Sequence, residues 1–211
     1  MGFMLLANCS GSRLSSGAPV ELNEAWATDN ILRTPESALY DPTRDIIYVS
    51  NINQVNTSRK DGDGFISRIN TEGKVDVLYW VTGLNDPRGM ALHNNVLYVA
   101  DLNEIVAIST QTGAILDRYV ADRASYLNDV AVDGDGNVYI TDSEEWRIYL
   151  LRNGRVSTWM KNTDRKRPNG IFQDGNRLLV TLGDEVRSLD PETQKWSSWT
   201  RGINTPDGIA K

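Results

Sequence analysis

The sequence predicts an all-β propeller built from four-stranded antiparallel blades. Three observations carry this expectation: five segments that align at near-regular spacing, a recurring order of turns and apolar strands after each, and no window with sustained helical periodicity. The segments are Pro35-Glu36-Ser37-Ala38, Pro87-Arg88-Gly89-Met90, Leu127-Asn128-Asp129-Val130, Pro168-Asn169-Gly170-Ile171 and Pro206-Asp207-Gly208-Ile209. Their second residues, at 36, 88, 128, 169 and 207, stand 52, 40, 41 and 38 residues apart. A unit of about 40 residues is the size of one blade.

Each complete unit continues alike. A turn comes first: Asp41-Pro42, His93-Asn94-Asn95, Asp133-Gly134-Asp135-Gly136 or Asp174-Gly175-Asn176. A β-prone strand follows at Ile46–Ser50, Val96–Ala100, Val138–Thr141 and Leu178–Thr181. A third strand is expected at Ile66–Ile69, Ile105–Ile108, Arg147–Leu151 and Glu185–Leu189, and a fourth includes Val156–Met160 and Trp196–Thr200. Turn residues such as Thr71-Glu72-Gly73-Lys74 and Arg152-Asn153-Gly154-Arg155 join them as antiparallel meanders. Pro206 opens a fifth unit that Lys211 interrupts. Because a ring closes to remove exposed sheet edges, the expectation is a fragment of a six-bladed ring, with about four blades present. The expected divisions are a tail and Ser/Gly tether over 1–20, a ring-closing strand within 21–33 (Glu21–Asn30), and blades over 34–211.

Composition narrows the function classes. A net charge of −6 and a pI near 4.9 exclude nucleic acid as a partner, since phosphates require a clustered positive field. The densest basic run, Lys161–Arg167, contains Asp164 and reads as a solvated loop. No stretch reaches the ~18 apolar residues that span a bilayer. The single cysteine, Cys9, has no internal disulfide partner. With Leu6-Ala7-Asn8 before it, Cys9 resembles the end of a bacterial lipoprotein signal, which implies a lipid anchor and a place in the cell envelope or periplasm. Asn8 and the lack of a basic n-region depart from that pattern; the other reading is an incidental thiol in a cytoplasmic protein.

In a propeller the first strand of each blade lines the central channel, so the residue after the proline recurs at one radial position. Here it is Glu36, Arg88, Asn128, Asn169 and Asp207, five polar side chains on rigid strands. These segments resemble the senescence marker protein/gluconolactonase/luciferin-regenerating-enzyme family, which overlaps with NHL-type propellers. The resemblance covers Thr34 to Lys211 and implies a six-bladed propeller with a divalent metal at the channel mouth. It assigns Glu36, Asn169 and Asp207 as metal ligands and Asn128 as a contact to substrate or to a metal-bound water.

An all-oxygen set of this kind favours Ca²⁺, Mg²⁺ or Mn²⁺ over Zn²⁺. The implied reaction is hydrolysis of a cyclic ester (a lactone), with Asp207 also serving as general base. Family members that act on sugar lactones carry arginine where this chain has Tyr126, so Arg88, one blade earlier, joins Tyr126 as a substrate-binding candidate. The competing reading is a non-catalytic NHL-like propeller that binds a small molecule or a protein. The loop Asn51–Phe65, which lengthens the first repeat, is either a lid or a surface insertion.

Several patterns carry no chemistry. Asp133–Glu144 mimics a calcium loop, but Val138 stands where such a loop needs glycine. No G-x-S-x-G elbow occurs, the only histidine is His93 in a turn, and Cys/His zinc chemistry fails by count. Trp80, Trp159, Trp196 and Trp199 are expected on outer strands or flanking loops.

Overall fold

The computed structural model describes residues 23–53, 60–161, 164 and 166–210. Cys9 and the 1–20 tail, most of the tip of the Asn51–Phe65 loop, and Lys211 lie outside them. Among the described residues, sixteen strands form four sheets of four, each a meander in chain order. Blade 1 comprises β1 (Pro35–Asp41), β2 (Ile46–Asn51), β3 (Gly64–Asn70) and β4 (Val75–Leu84). Blade 2 comprises β5 (Pro87–His93), β6 (Val96–Asp101), β7 (Glu104–Ser109) and β8 (Ile115–Val120). Blade 3 comprises β9 (Leu127–Val132), β10 (Val138–Asp142), β11 (Arg147–Arg152) and β12 (Arg155–Lys161). Blade 4 comprises β13 (Pro168–Asp174), β14 (Arg177–Leu182), β15 (Glu185–Leu189) and β16 (Trp196–Arg201). No helix occurs among the described residues. The protein is an all-β propeller of four-stranded antiparallel blades, and four are present.

The middle strands of each blade are apolar on both faces because both faces are covered. Tyr48 and Ile66 of blade 1 pack with Met90, Leu97, Val99, Val106 and Ile108 of blade 2. Ala100 and Ile105 of blade 2 pack with Leu127, Val130, Ile140 and Tyr149 of blade 3. Tyr139, Ile148 and Leu150 of blade 3 meet Ile171, Leu178, Val180 and Leu189 of blade 4. The cores therefore lie between blades, where period-two alternation sends successive residues of one strand to different neighbours. The tryptophans Trp80, Trp159, Trp196 and Trp199 do fall on outer strands.

Residues 23–33 carry no strand. Instead Trp26 and Leu32 pack on Ile47, Val49 and Ile69, covering the face of blade 1 that points away from blade 2. Trp26 lies over Gly73, where φ is +85° and an added Cβ would strike the indole. Residues 202–210 likewise carry no strand, yet Asp207 takes the place the repeat gives it. The Thr141 hydroxyl of β10 donates to the Asn169 carbonyl of the next blade (2.6 Å), and Thr181 of β14 donates to the Asp207 carbonyl (3.1 Å). The fifth unit thus begins in the register of the others.

Candidate functional site

Inner strands β1, β5, β9 and β13 line one cavity of about 1120 Å³, together with Asp207–Ala210. Every inner strand begins with a bulge, and each bulge contains the residue after the proline or leucine. The register slips between Pro35 and Ser37, between Pro87 and Met90, opposite Ile140/Asp142, and between Pro168 and Ile171. A bulge bends the strand and re-aims its side chain, which is how a β-scaffold directs a functional group.

Hydroxyls of the second strands fix these bulges. Ser50 Oγ accepts the Ser37 amide (3.0 Å), Thr141 Oγ1 the Asp129 amide (3.0 Å) and Thr181 Oγ1 the Gly170 amide (2.7 Å). Ala100 stands at this place in blade 2, without a hydroxyl. The residue after the hydroxyl holds the loop leading into the inner strand. Asn51 Oδ1 accepts the Arg33 amide (2.9 Å), Asp101 accepts the Asn85 and Asp86 amides (2.9 and 2.6 Å), and Asp142 accepts the Ser125 amide (3.0 Å). Blade 4 has Leu182 there, and Glu185 takes over by binding Lys166 (2.5 Å) and Arg187 (2.7 Å). Arg167 pairs with Glu144 (3.2 Å). Lys166 and Arg167 of the basic run are thus paired to acids.

Glu36, Asn128, Asn169 and Asp207 all stand on the cavity wall. Arg88 is buried behind that surface and reaches it through Glu36. Acids on two sides and an aromatic ring hold its guanidinium: Nη1 donates to Glu36 Oε1 (2.9 Å), Nη2 to Asp86 Oδ2 (3.1 Å), and the ring of Tyr126 lies 4.0 Å from its Cζ. Arg88 is 4% exposed and Asp86 1%. Tyr126 thus covers one face of the guanidinium.

Sequence reasoning gave no role to Asp129, the third residue of its segment. Its carboxylate lies in the cavity wall, accepting the amides of Val130 (2.8 Å) and of Ile171 on β13 (2.9 Å). It also fills the space beside Gly89 of β5. One side chain therefore touches three inner strands. The signal was readable, because a charged residue stands where three other segments have Gly89, Gly170 and Gly208.

Electrostatics follow from burial. Glu36 is pushed up by desolvation; Arg88 opposes this and the Asp207 carboxylate adds to it. Burial raises Asp129 to about 7, against the pull of the Ile171 and Val130 amides, with Glu36 and Asp207 adding repulsion. Asp101 is raised to about 6, again chiefly by burial. A carboxyl that holds its proton more tightly folded than unfolded contributes stability that is complete below about pH 4 and fades as pH rises through about 6 to 7. Thermal melts should therefore show wild type losing stability between pH 5 and pH 8, and Asp129→Asn losing less. Equal losses in the two proteins would refute the assignment.

Among the described residues, no three His, Cys, Asp or Glu side chains cluster as a metal site. The donor set on the wall is instead two carboxylates, Glu36 and Asp207, with the amides Asn128 and Asn169. Two acids that repel across a cavity, beside neutral oxygen donors, fit a hard divalent cation.

No protein-family model matches the chain, and no curated protein matches it in sequence. Many solved structures match its shape. It is similar to virginiamycin B lyase from Staphylococcus aureus, with a TM-score of 0.60, 16% identity, and coverage of 77% of this chain and 54% of that one. It is similar to the nidogen/laminin complex, with a TM-score of 0.63, 21% identity, and coverage of 80% and 64%. A streptogramin B lyase aligns with a TM-score of 0.56, 15% identity, and coverage of 88% and 76%. These likenesses establish the propeller fold. The chain spans 54% and 64% of the first two of these structures.

Proposed function

We propose that the cavity mouth is the active site of a divalent-metal-dependent hydrolase that opens a cyclic ester. The observation that carries this reading is that Glu36, Asn128, Asn169 and Asp207 all line one cavity, although they come from segments up to 171 residues apart. In the proposed site Glu36, Asn169 and Asp207 hold the cation. That cation would supply the charge that polarises an ester carbonyl and stabilises the developing oxyanion. Asn128 orients the substrate with its amide. Asp207 accepts the proton of the attacking water and returns it to the departing alkoxide, so acyl–oxygen cleavage balances.

The test is calorimetric titration of the chain with Ca²⁺, Mg²⁺ and Mn²⁺, together with an assay over a panel of lactones. Binding with hydrolysis supports the reading, and the absence of both removes it. A second reading, a non-catalytic propeller that binds a small molecule or a protein, is favoured by one observation: the Arg88–Glu36 pair already neutralises a candidate ligand. Binding without turnover across the panel would select it. The structural neighbours include two proteins named as lyases and one partner in a protein complex, so the fold is compatible with either.

A further inference from the structure

The Glu36 carboxylate does not wait in the cavity as an open ligand. Its Oε1 carries a bond of 2.9 Å from Arg88 Nη1, so a protein cation stands at one corner of the proposed metal position. Arg88 is firmly seated there. Asp86, itself 1% exposed, holds Nη2 at 3.1 Å, and the ring of Tyr126 covers the guanidinium face. The Nε of Arg88 is buried with no hydrogen-bond partner in the protein. The geometry thus leaves one N–H unpaired while the two Nη atoms reach separate acids. An uncompensated buried N–H is costly, and the two acids and the ring outweigh it.

We infer that Arg88 is an internal competitor for Glu36, so a divalent cation enters the site only by exchanging with the Arg88 Nη1 contact. The inference rests on the proposed metal site. Asp86 and Tyr126 keep hold of the guanidinium during exchange, so Arg88 does not have to leave the wall of blade 2, only to release one carboxylate. If the pair is closed nine-tenths of the time, apparent affinity falls about tenfold below that of the open site. Arginine at this place therefore sets how much cation is needed to load the site. The Asp86–Tyr126 seat sets how readily Arg88 lets go.

The experiment is calorimetric titration of the 211-residue chain with Mn²⁺ in three forms: wild type, Arg88→Lys, and the double variant Arg88→Met/Asp86→Asn. The double variant removes the competitor together with the acid that it pairs, which avoids leaving Asp86 without that counter-charge. The expected order is wild type weakest, Arg88→Lys intermediate, and the double variant tightest by about tenfold. Lysine is intermediate because one ammonium cannot reproduce a planar fork that bonds two acids and stacks on a ring. Adding Glu36→Gln to the double variant should abolish the gain. Equal or weaker Mn²⁺ binding by the variants, with wild type binding, overturns the exchange and leaves the metal site standing. Absence of binding in every form overturns both. If near-UV dichroism shows that the double variant does not fold, Arg88→Lys decides alone: it must bind Mn²⁺ more tightly than wild type.

Discussion

Gly89→Ala is expected to destabilise the chain by about 3 kcal/mol, read as a lower urea midpoint with unchanged slope. The reason lies in how closely the inner strands converge near the axis. A Cβ on Gly89 would stand 2.5 Å from the Asp129 Cα and 2.8 Å from the Asn128 carbonyl oxygen, and closer still to the Asp129 carboxylate. A carboxylate can swing aside, but the backbone of β9 cannot move without disturbing its ladder to β10. Loss of glycine's freedom in the unfolded chain would favour alanine by at most about 1 kcal/mol, so the clash prevails. Gly134→Ala is the control: no atom lies within 4 Å of its added Cβ, and its effect should stay within about 0.5 kcal/mol. A Gly89→Ala protein as stable as wild type would show that the strands are not packed this closely.

In the proposed mechanism, Asp207→Ala should reduce lactone hydrolysis at least about a hundredfold even at saturating Mn²⁺, because one substitution would remove a proposed ligand and the proposed proton acceptor together. The fold should survive the change. The structural contact of this residue is made by its backbone carbonyl, which accepts from Thr181 and abuts Gly170, while its side chain faces the cavity. Asn128→Ala should keep metal affinity near the wild-type value and lose turnover, since Asn128 is assigned to the substrate. Calorimetry and initial rates on the same preparations separate the two. An Asp207→Ala protein that retained half of the wild-type rate would remove Asp207 from the mechanism.

The blades were legible because each local choice repeats. Pro87-Arg88, Pro168-Asn169 and Pro206-Asp207 mark where inner strands start, and the apolar runs Ile46–Ser50 and Leu178–Thr181 are strands buried on both faces. Their repetition also gave the radial position of the cavity residues. Repetition places a Cα, however, and says nothing of where a long side chain finds its partners. Arg88 turns to Glu36, 52 residues away, and to Asp86, so it lies buried between two acids instead of standing open to the cavity. The bulges at Glu36, Arg88, Asn128 and Asn169 were equally hidden, since they arise from pairing register rather than from residue type. The stretch Glu21–Asn30 was expected to close the ring as a strand; over its described part it carries no strand, and Trp26 packs on blade 1.

The threonine latches have a consequence for how the chain folds. Thr141 reaches Asn169, Thr181 reaches Asp207, and Asp129 reaches Ile171, so each bond joins one blade only to its successor. Within a blade every strand pairs with its immediate neighbour in sequence. The strand pairings and latches therefore span little more than one repeat, and the loops that they close are short. Each blade is thus coupled to its immediate neighbours, by the packed cores between blades and, from blade 3 onward, by these latches. Local opening of a blade therefore costs chiefly the packing and latches that it shares with its neighbours, so amide exchange can differ from blade to blade.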